Sequence, residues 1–309
     1  MTTYSETDIK SMVSQILAHL GGSGGPGPAS PQTVPIPAQT ATFPDRAVPA
    51  PAPSGVAALA LDDAATPAQR LAVPNPANRA ALMEMMQATS GRIGEWRAGP
   101  RPTCASLLRF RADHAAAMDA VFNDVSAGLP DKLGLLSVQS AAPDKASYLM
   151  DPAIGAEFTP ETARELSECC THGAQVQILV SDGLSSIAVE SNLPDLLPSL
   201  LQGIQRHGLS TGTNLFIKYG RVRVMDEVSA LLTPEVTLIL LGERPGLVTN
   251  ESLSCYMTYK GYPGVAENKR TVVSNIYRKG TPPAEAGAYI ADIAQKMIQA
   301  KASGMDLKL

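Results

Sequence analysis

The sequence predicts an α/β protein: an open sheet with helices on both faces, preceded by a small helical N-terminal domain and a disordered linker. Three observations predict it. Apolar, β-type runs at Val176–Val180, Leu215–Val224, Val236–Leu241, Ser252–Tyr259 and Arg270–Ile276 are separated by segments of helical period, and strands alternating with helices build open α/β sheets. Residues 21–73 are dominated by Gly, Pro and Ala. From about Pro74 the composition turns globular.

Each element has a local cause. In residues 4–20, Ile9, Met12, Val13, Ile16, Leu17 and Leu20 share one helical face. Thr3 with Glu6, or Ser5 with Asp8, can cap the start, and Gly21–Gly22 stops it. So short a helix is marginal alone in water and needs a partner surface. Residues 21–73 carry prolines at 26, 28, 31, 35, 37, 44, 49, 51, 53 and 67. Such a segment buries too little apolar surface to offset its ordering entropy and reads as a semi-extended linker. Residues 74–132 read as a small helical domain. Helices at Arg79–Thr89 and Cys104–Phe122 flank the turn Arg97–Thr103, with Leu107, Phe110, His114 and Met118 near one face of the second. Residues 133–309 hold the sheet. Leu193, Leu196, Leu197, Leu200, Leu201 and Ile204 mark an amphipathic helix in which Pro194 and Pro198 predict a kink or a late start. Asp226–Leu232 is a short helix. Thr281-Pro-Pro opens a last helix, with Ile290, Ile293, Met297 and Ile298 facing in and Gly304 ending it.

Composition excludes several function classes. The 309 residues carry a net charge of −4, with 44% hydrophobic and 17% charged residues. No Lys/Arg run offers the concentrated basic patch that nucleic acid or an anionic membrane needs. No apolar run reaches the roughly 20 residues of a bilayer span, and the N-terminus lacks a secretory signal pattern. Cys104, Cys169, Cys170 and Cys255 form neither a disulfide framework nor a CxxC metal spacing, so a cytoplasmic, reducing compartment is expected. His19, His114, His172 and His207 are scattered and suggest no metal site. Phosphate-loop, dinucleotide, HExxH and GxSxG motifs are absent, and no nucleophile sits with a base.

Three stretches could bind a ligand, two of them turns at the carboxyl ends of strands, where open sheets place ligands. Ser181-Asp-Gly-Leu-Ser185 offers a tight Gly183 and a helix-capping Ser185 or Ser186, and reads equally as a plain strand-to-helix turn. Gly242-Glu-Arg-Pro-Gly246 exposes a carboxylate and a guanidinium, which could instead be a local ion pair of little worth. In Tyr219-Gly-Arg-Val222, placed within a strand, Gly220 suggests close approach by a ligand or a neighbouring element. From the residues alone the chain reads as an α/β binding module with a tethered helix.

An ordered set of stretches goes further: Arg97-Ala-Gly-Pro-Arg-Pro, Leu107-Leu-Arg-Phe-Arg-Ala-Asp-His114, Val180-Ser-Asp-Gly-Leu-Ser185, Tyr219-Gly-Arg-Val222, Leu241-Gly-Glu-Arg-Pro-Gly-Leu247, Glu251-Ser-Leu-Ser-Cys-Tyr256, Ser274-Asn-Ile276, Gly280-Thr-Pro-Pro283 and Gln299-Ala-Lys-Ala-Ser-Gly304. In this order and spacing, from about Pro74 to the C-terminus, the chain resembles the small (light) subunit of ethanolamine ammonia-lyase. The resemblance implies a Rossmann-like sheet domain that binds adenosylcobalamin against a catalytic large subunit, within a higher hetero-oligomer that converts ethanolamine to acetaldehyde and ammonia. It implies no catalytic residue on this chain. It carries cobalamin contacts to Val222, to Glu243 and, where the family has a cysteine, to Val272. It also implies that the helix at 4–20 packages the enzyme into a bacterial microcompartment of the cytoplasm. The reading from another class is a non-catalytic scaffold protein of such a compartment.

Overall fold

The computed structural model describes residues 71–89 and 91–308. The amphipathic segment 4–20, and the linker as far as residue 70, lie outside the described residues. The first helices are α1 (Arg79–Ala88) and α2 (Cys104–Phe122), with the short hairpin β1 (Arg97–Ala98) and β2 (Arg101–Pro102) between them. Asn78 and Thr103 cap the two helices through side chains that accept from Ala81 N and Ser106 N. Then follow α3 (Gly128–Lys132), β3 (Leu136–Gln139), α4 (Lys145–Met150), α5 (Pro160–Cys169), β4 (Val176–Ser181), α6 (Ser186–Arg206), β5 (Leu215–Lys218), α7 (Val224–Leu232), β6 (Val236–Gly242), β7 (Leu253–Tyr259), β8 (Thr271–Ile276) and α8 (Pro283–Ala300).

Six strands form one mixed sheet in the order β3-β5-β4-β6-β7-β8. The first four are parallel, and β7 and β8 run antiparallel to their neighbours. Every residue of β4 and β6 is buried, as expected for strands covered on both faces. On one face Ile178, Val180, Leu238 and Leu240 pack under α6 and α8. On the other, Leu179, Ile217, Ile239 and Leu241 pack under α5 and α7. Among the described residues no helix is long and apolar enough to cross a membrane.

Several expectations are corrected. The helix with two prolines neither starts late nor ends at them: α6 runs unbroken through Pro194 and Pro198. They lie four residues apart and both are exposed, so the carbonyls they leave unbonded face water, while Leu193, Leu196, Leu197, Leu200 and Ile204 hold the other side in the core. The strand predicted to reach Val224 stops at Lys218, because Tyr219 turns to φ +60°. Tyr219–Val222 therefore lies in the turn into α7 and not within a strand. The last helix ends at Ala300 on a left-handed Lys301, ahead of Gly304. Sequence reading also passed over β3, α4 and α5.

One buried ion pair joins the parallel and antiparallel halves. Arg270, at the entry to β8, donates to both carboxylate oxygens of Asp226 on α7, at 2.8 and 2.7 Å. The two side chains are 1% and 4% exposed, so neither charge has water to fall back on. Removing one partner of a buried pair strands the other charge and costs about 3–5 kcal/mol, while an apolar pair of similar volume is often neutral. Arg270→Met should accordingly lower unfolding stability by about that amount, and the double substitution Arg270→Met with Asp226→Leu should recover most of it. Urea denaturation of both proteins tests this; a double variant as unstable as the single one rules out the coupling.

Candidate functional site

Loops leave β4 toward the α6 face and β5 toward the α7 face. The crevice between the carboxyl ends of these two neighbours is where open sheets take ligands. In this chain it is filled from within. Tyr148 of α4 is fully buried there, and its hydroxyl shares its proton between Gly183 O at 2.8 Å and Gly220 O at 3.1 Å. The Arg221 guanidinium lies 4.2 Å over its ring, and the Tyr219 ring stacks beside it. Beneath, buried Asp182 accepts from Tyr219 N at 2.8 Å and pairs with Lys145 at 3.1 Å. Burial pushes the Asp182 carboxyl above its ordinary range, against the pull of Lys145. Asp124, just past α2, receives Lys145, Lys218 and the Tyr219 hydroxyl at 3.5, 3.0 and 3.1 Å. Partial burial opposes its charge, but the Lys218 contact prevails and its carboxyl stays below the usual value.

The turn Ser181–Ser185 is structural. Gly183 sits at φ +55°, and a Cβ there would stand 2.4 Å from Gly242 O. The close approach it permits is to β6, where Leu184 N donates to Gly242 O at 2.9 Å. Ser185 caps α6 by accepting from Ala188 N. Gly220 likewise approaches Ser181, not a ligand.

The open ground is elsewhere. α6 and α8 pack on one side of β7 and β8, and no helix of the described residues packs comparably on the other. Cross-strand pairs share a face: Tyr256 pairs with Ile239 on one side and Val272 on the other. Val272 is 46% exposed there. Tyr256 also lines a cavity of about 710 Å³ with Arg221, Val222, Asp226, Glu227 and Glu267. Glu243, one residue past β6, accepts from the Ser252 hydroxyl at 3.1 Å and from Ser254. Its partners are these serines, so the local ion pair with Arg244 is not what holds it. Two acceptor positions per carboxylate oxygen leave capacity for a ligand's donors. Tyr256 connects the parts. Its phenol is raised by burial and further by the charges of Glu243 and Glu267. The three residues carried over from the resemblance, Val222, Glu243 and Val272, thus lie around Tyr256, at the part of the sheet face that no helix of the described residues covers. Among the described residues no His/Cys/Asp/Glu cluster could hold a metal ion.

Comparison with known proteins decides the family. The profile of the ethanolamine ammonia-lyase light chain matches residues 79–308. This chain belongs to that family. It is 44% identical, over 99% of its length and the whole of the relative, to the ethanolamine ammonia-lyase small subunit of Clostridium tetani. It is 49% identical to the Fusobacterium nucleatum small subunit, over 76% of this chain and 80% of that one. The Listeria monocytogenes (EGD-e) small subunit is 46% identical over 78% of this chain and 82% of its own length.

In this light-chain fold, sequence reading missed Tyr256, Ser252 and Ser254. Their signal was present: strand alternation sends Ser252, Ser254 and Tyr256 to one side, but nothing local says that side is uncovered. It also missed Tyr148, whose placement depends on an unread helix. If Tyr148 is a plug and no ligand contact, Tyr148→Phe should cost about 1–3 kcal/mol, the price of two buried carbonyls losing their donor. Ligand affinity should be unchanged. A denaturation midpoint equal to that of the parent chain would show the hydroxyl idle.

Proposed function

We propose that this chain is the small subunit of an adenosylcobalamin-dependent ethanolamine ammonia-lyase, and that it presents the open β7–β8 face and its cavity to cobalamin, closing the cofactor site against a catalytic large subunit. The observation that carries the reading is spatial. Val222, Glu243 and Val272 come from three separate stretches of the chain, yet all border the part of one sheet face, over β7 and β8, where no helix of the described residues packs. The residues suit the cofactor. A corrin offers apolar methyl-bearing faces and an amide-rich rim, and this ground offers a Val/Tyr platform beside a fixed carboxylate. The small cavity takes only part of so large a molecule, which fits a site completed by a second chain. A Rossmann-like reading of the parallel half accords with the opposed exits of β4 and β5.

When bound, adenosylcobalamin supplies radical chemistry through its cobalt–carbon bond. This chain's residues do other work. Ser252 and Ser254 hold the Glu243 carboxylate in place to accept hydrogen bonds from amide or hydroxyl donors. Val222, Tyr256 and Val272 form an apolar bed that keeps water from the cofactor's edge. At Val272 a van der Waals contact serves where relatives of the resembled type carry a thiol. Arg221 sets the turn that presents Val222, through its backbone N–H to Gly155 O at 2.7 Å and its stacking on Tyr148.

A hydrogen bond to a charged group contributes about 1.5–3 kcal/mol, and each 1.4 kcal/mol is about tenfold in affinity. In the assembled enzyme, Glu243→Ala should weaken cobalamin binding roughly ten- to hundredfold, with Glu243→Gln between. Turnover at saturating cofactor should fall much less. Corrinoid titration of all three proteins, after confirming assembly with the large subunit, checks this, and unchanged affinity in Glu243→Ala moves the contact elsewhere. The isolated chain should release no acetaldehyde at any cobalamin concentration; turnover by it alone defeats the subunit reading. A scaffold protein would bind no corrinoid in either form.

A further inference from the structure

Helix α2 is packed inside out. Over its 19 residues only Ser106 and Ala120 are buried. They lie fourteen residues apart, close to four helical turns, and so mark one inward face. Ala120 accepts through its carbonyl from the Ser186 hydroxyl at 3.4 Å, and exposed Ala116, about one turn earlier, accepts from the Asn250 side chain at 3.4 Å. The large side chains point away. Leu107 is 38% exposed, Leu108 68%, Phe110 43%, Met118 46% and Phe122 59%. Trp96, beside the helix start, is 44% exposed. The face that sequence reading singled out through Leu107 and Met118 is therefore the solvent face. In a chain with one tryptophan and five phenylalanines, the tryptophan and two of the phenylalanines stand on this surface.

Its composition is that of an interface core. Aromatics, Met and Arg are enriched where proteins meet, and buried Trp and Arg dominate binding energy. Exposed Arg97 and Arg101 on the β1–β2 hairpin and Arg111 on the stripe itself flank the apolar side chains, against the exposed carboxylates of Asp119 and of Asp124, the latter already paired with Lys145 and Lys218. A net cationic patch repels a copy of itself and suits a partner with an acidic rim. The position narrows the partner. The carbonyl of Ala116 on α2 accepts from Asn250, in the loop that runs from Glu243 to Ser252. A chain that closes over Glu243 continues directly onto α2.

We propose that the outward face of α2, with Trp96 and the Arg97/Arg101 hairpin, is a docking surface for the large subunit, which meets it with an apolar groove edged by Asp or Glu. This rests on the small-subunit reading above. The test uses the full chain and the purified large subunit. Leu108→Asp with Phe122→Asp should raise the dissociation constant at least a hundredfold with an unchanged thermal melt, while Met305→Asp, an exposed methionine elsewhere, should leave it as it was. Arg101→Glu with Arg111→Glu should weaken the complex and flatten its salt dependence. In the unsubstituted protein, hydroxyl-radical oxidation of Met118 and Phe122 should be strong in the free chain and suppressed in the complex; this readout stands even if a variant fails to fold. Unchanged affinity in the Leu108/Phe122 variant, while the parent chains assemble and bind corrinoid, overturns the docking surface and leaves the subunit reading intact. Protection of Met118 and Phe122 in the free chain, from its own residues or from a second copy, also overturns it. Parent chains that do not associate at all bring down both.

Discussion

The Asp226–Arg270 pair is the constraint on which the rest of the structure depends. It ties α7, which follows the third parallel strand, to the start of β8, the last antiparallel one. Two parallel hydrogen bonds fix rotation as well as distance. The cavity exists between the elements so held: Val222 and Glu227 come from the α7 side, Tyr256 and Glu267 from the hairpin side. Glu267 reinforces the joint by pairing with Arg270 at 3.0 Å and Arg223 at 3.1 Å. Burial works against the Glu267 carboxylate, yet these guanidiniums keep it below its ordinary range. An apolar pair would hold the halves about as firmly, but without this directional lock on the cavity wall.

The asymmetry of the sheet follows. Both faces of β4 and β6 are covered and their sequences are mostly apolar, with Gln177, Ser181 and Thr237 buried among them. β8 is buried at its ends and open along its middle, so Val272 meets solvent on a face that a soluble monomer would ordinarily cover. α2 repeats the arrangement at the level of a helix, with small residues inward and large ones outward. Two separate elements each leave apolar surface uncovered among the described residues near the Glu243 loop, the surfaces that the proposed second chain and cofactor would cover.

Much of this was legible in the sequence where the cause is local. The strands β4, β6, β7 and β8 announce themselves by apolar runs, and α2 was read to the residue. The misreadings share a physical origin. Pro194 and Pro198 argue for a late helix start only until it is known that they face water. Gly183 and Gly220 signal close approach without saying to what, and the answer, β6 and Ser181, is tertiary. β3 has one buried residue in four, too few for a pattern. Val222 and Glu243 were singled out through motifs of the resemblance, but that they lie near the same open part of the sheet as Val272 depends on register between strands distant in sequence.

The tyrosine at the β4–β5 crevice has a consequence for molecular traffic in the cell. Open α/β sheets share a habit of taking nucleotides at this point, and nucleotides are abundant. A nucleotide entering here would have to evict a fully buried phenol, a displacement comparable to emptying a large aromatic from a core, about 3–5 kcal/mol. That handicap lowers the affinity of any such competitor by some two to four orders of magnitude. A packed phenol thereby handicaps ATP, NAD and their kin at this crevice, and the Asp182 and Asp124 carboxylates beside it add charge of the same sign as a polyphosphate.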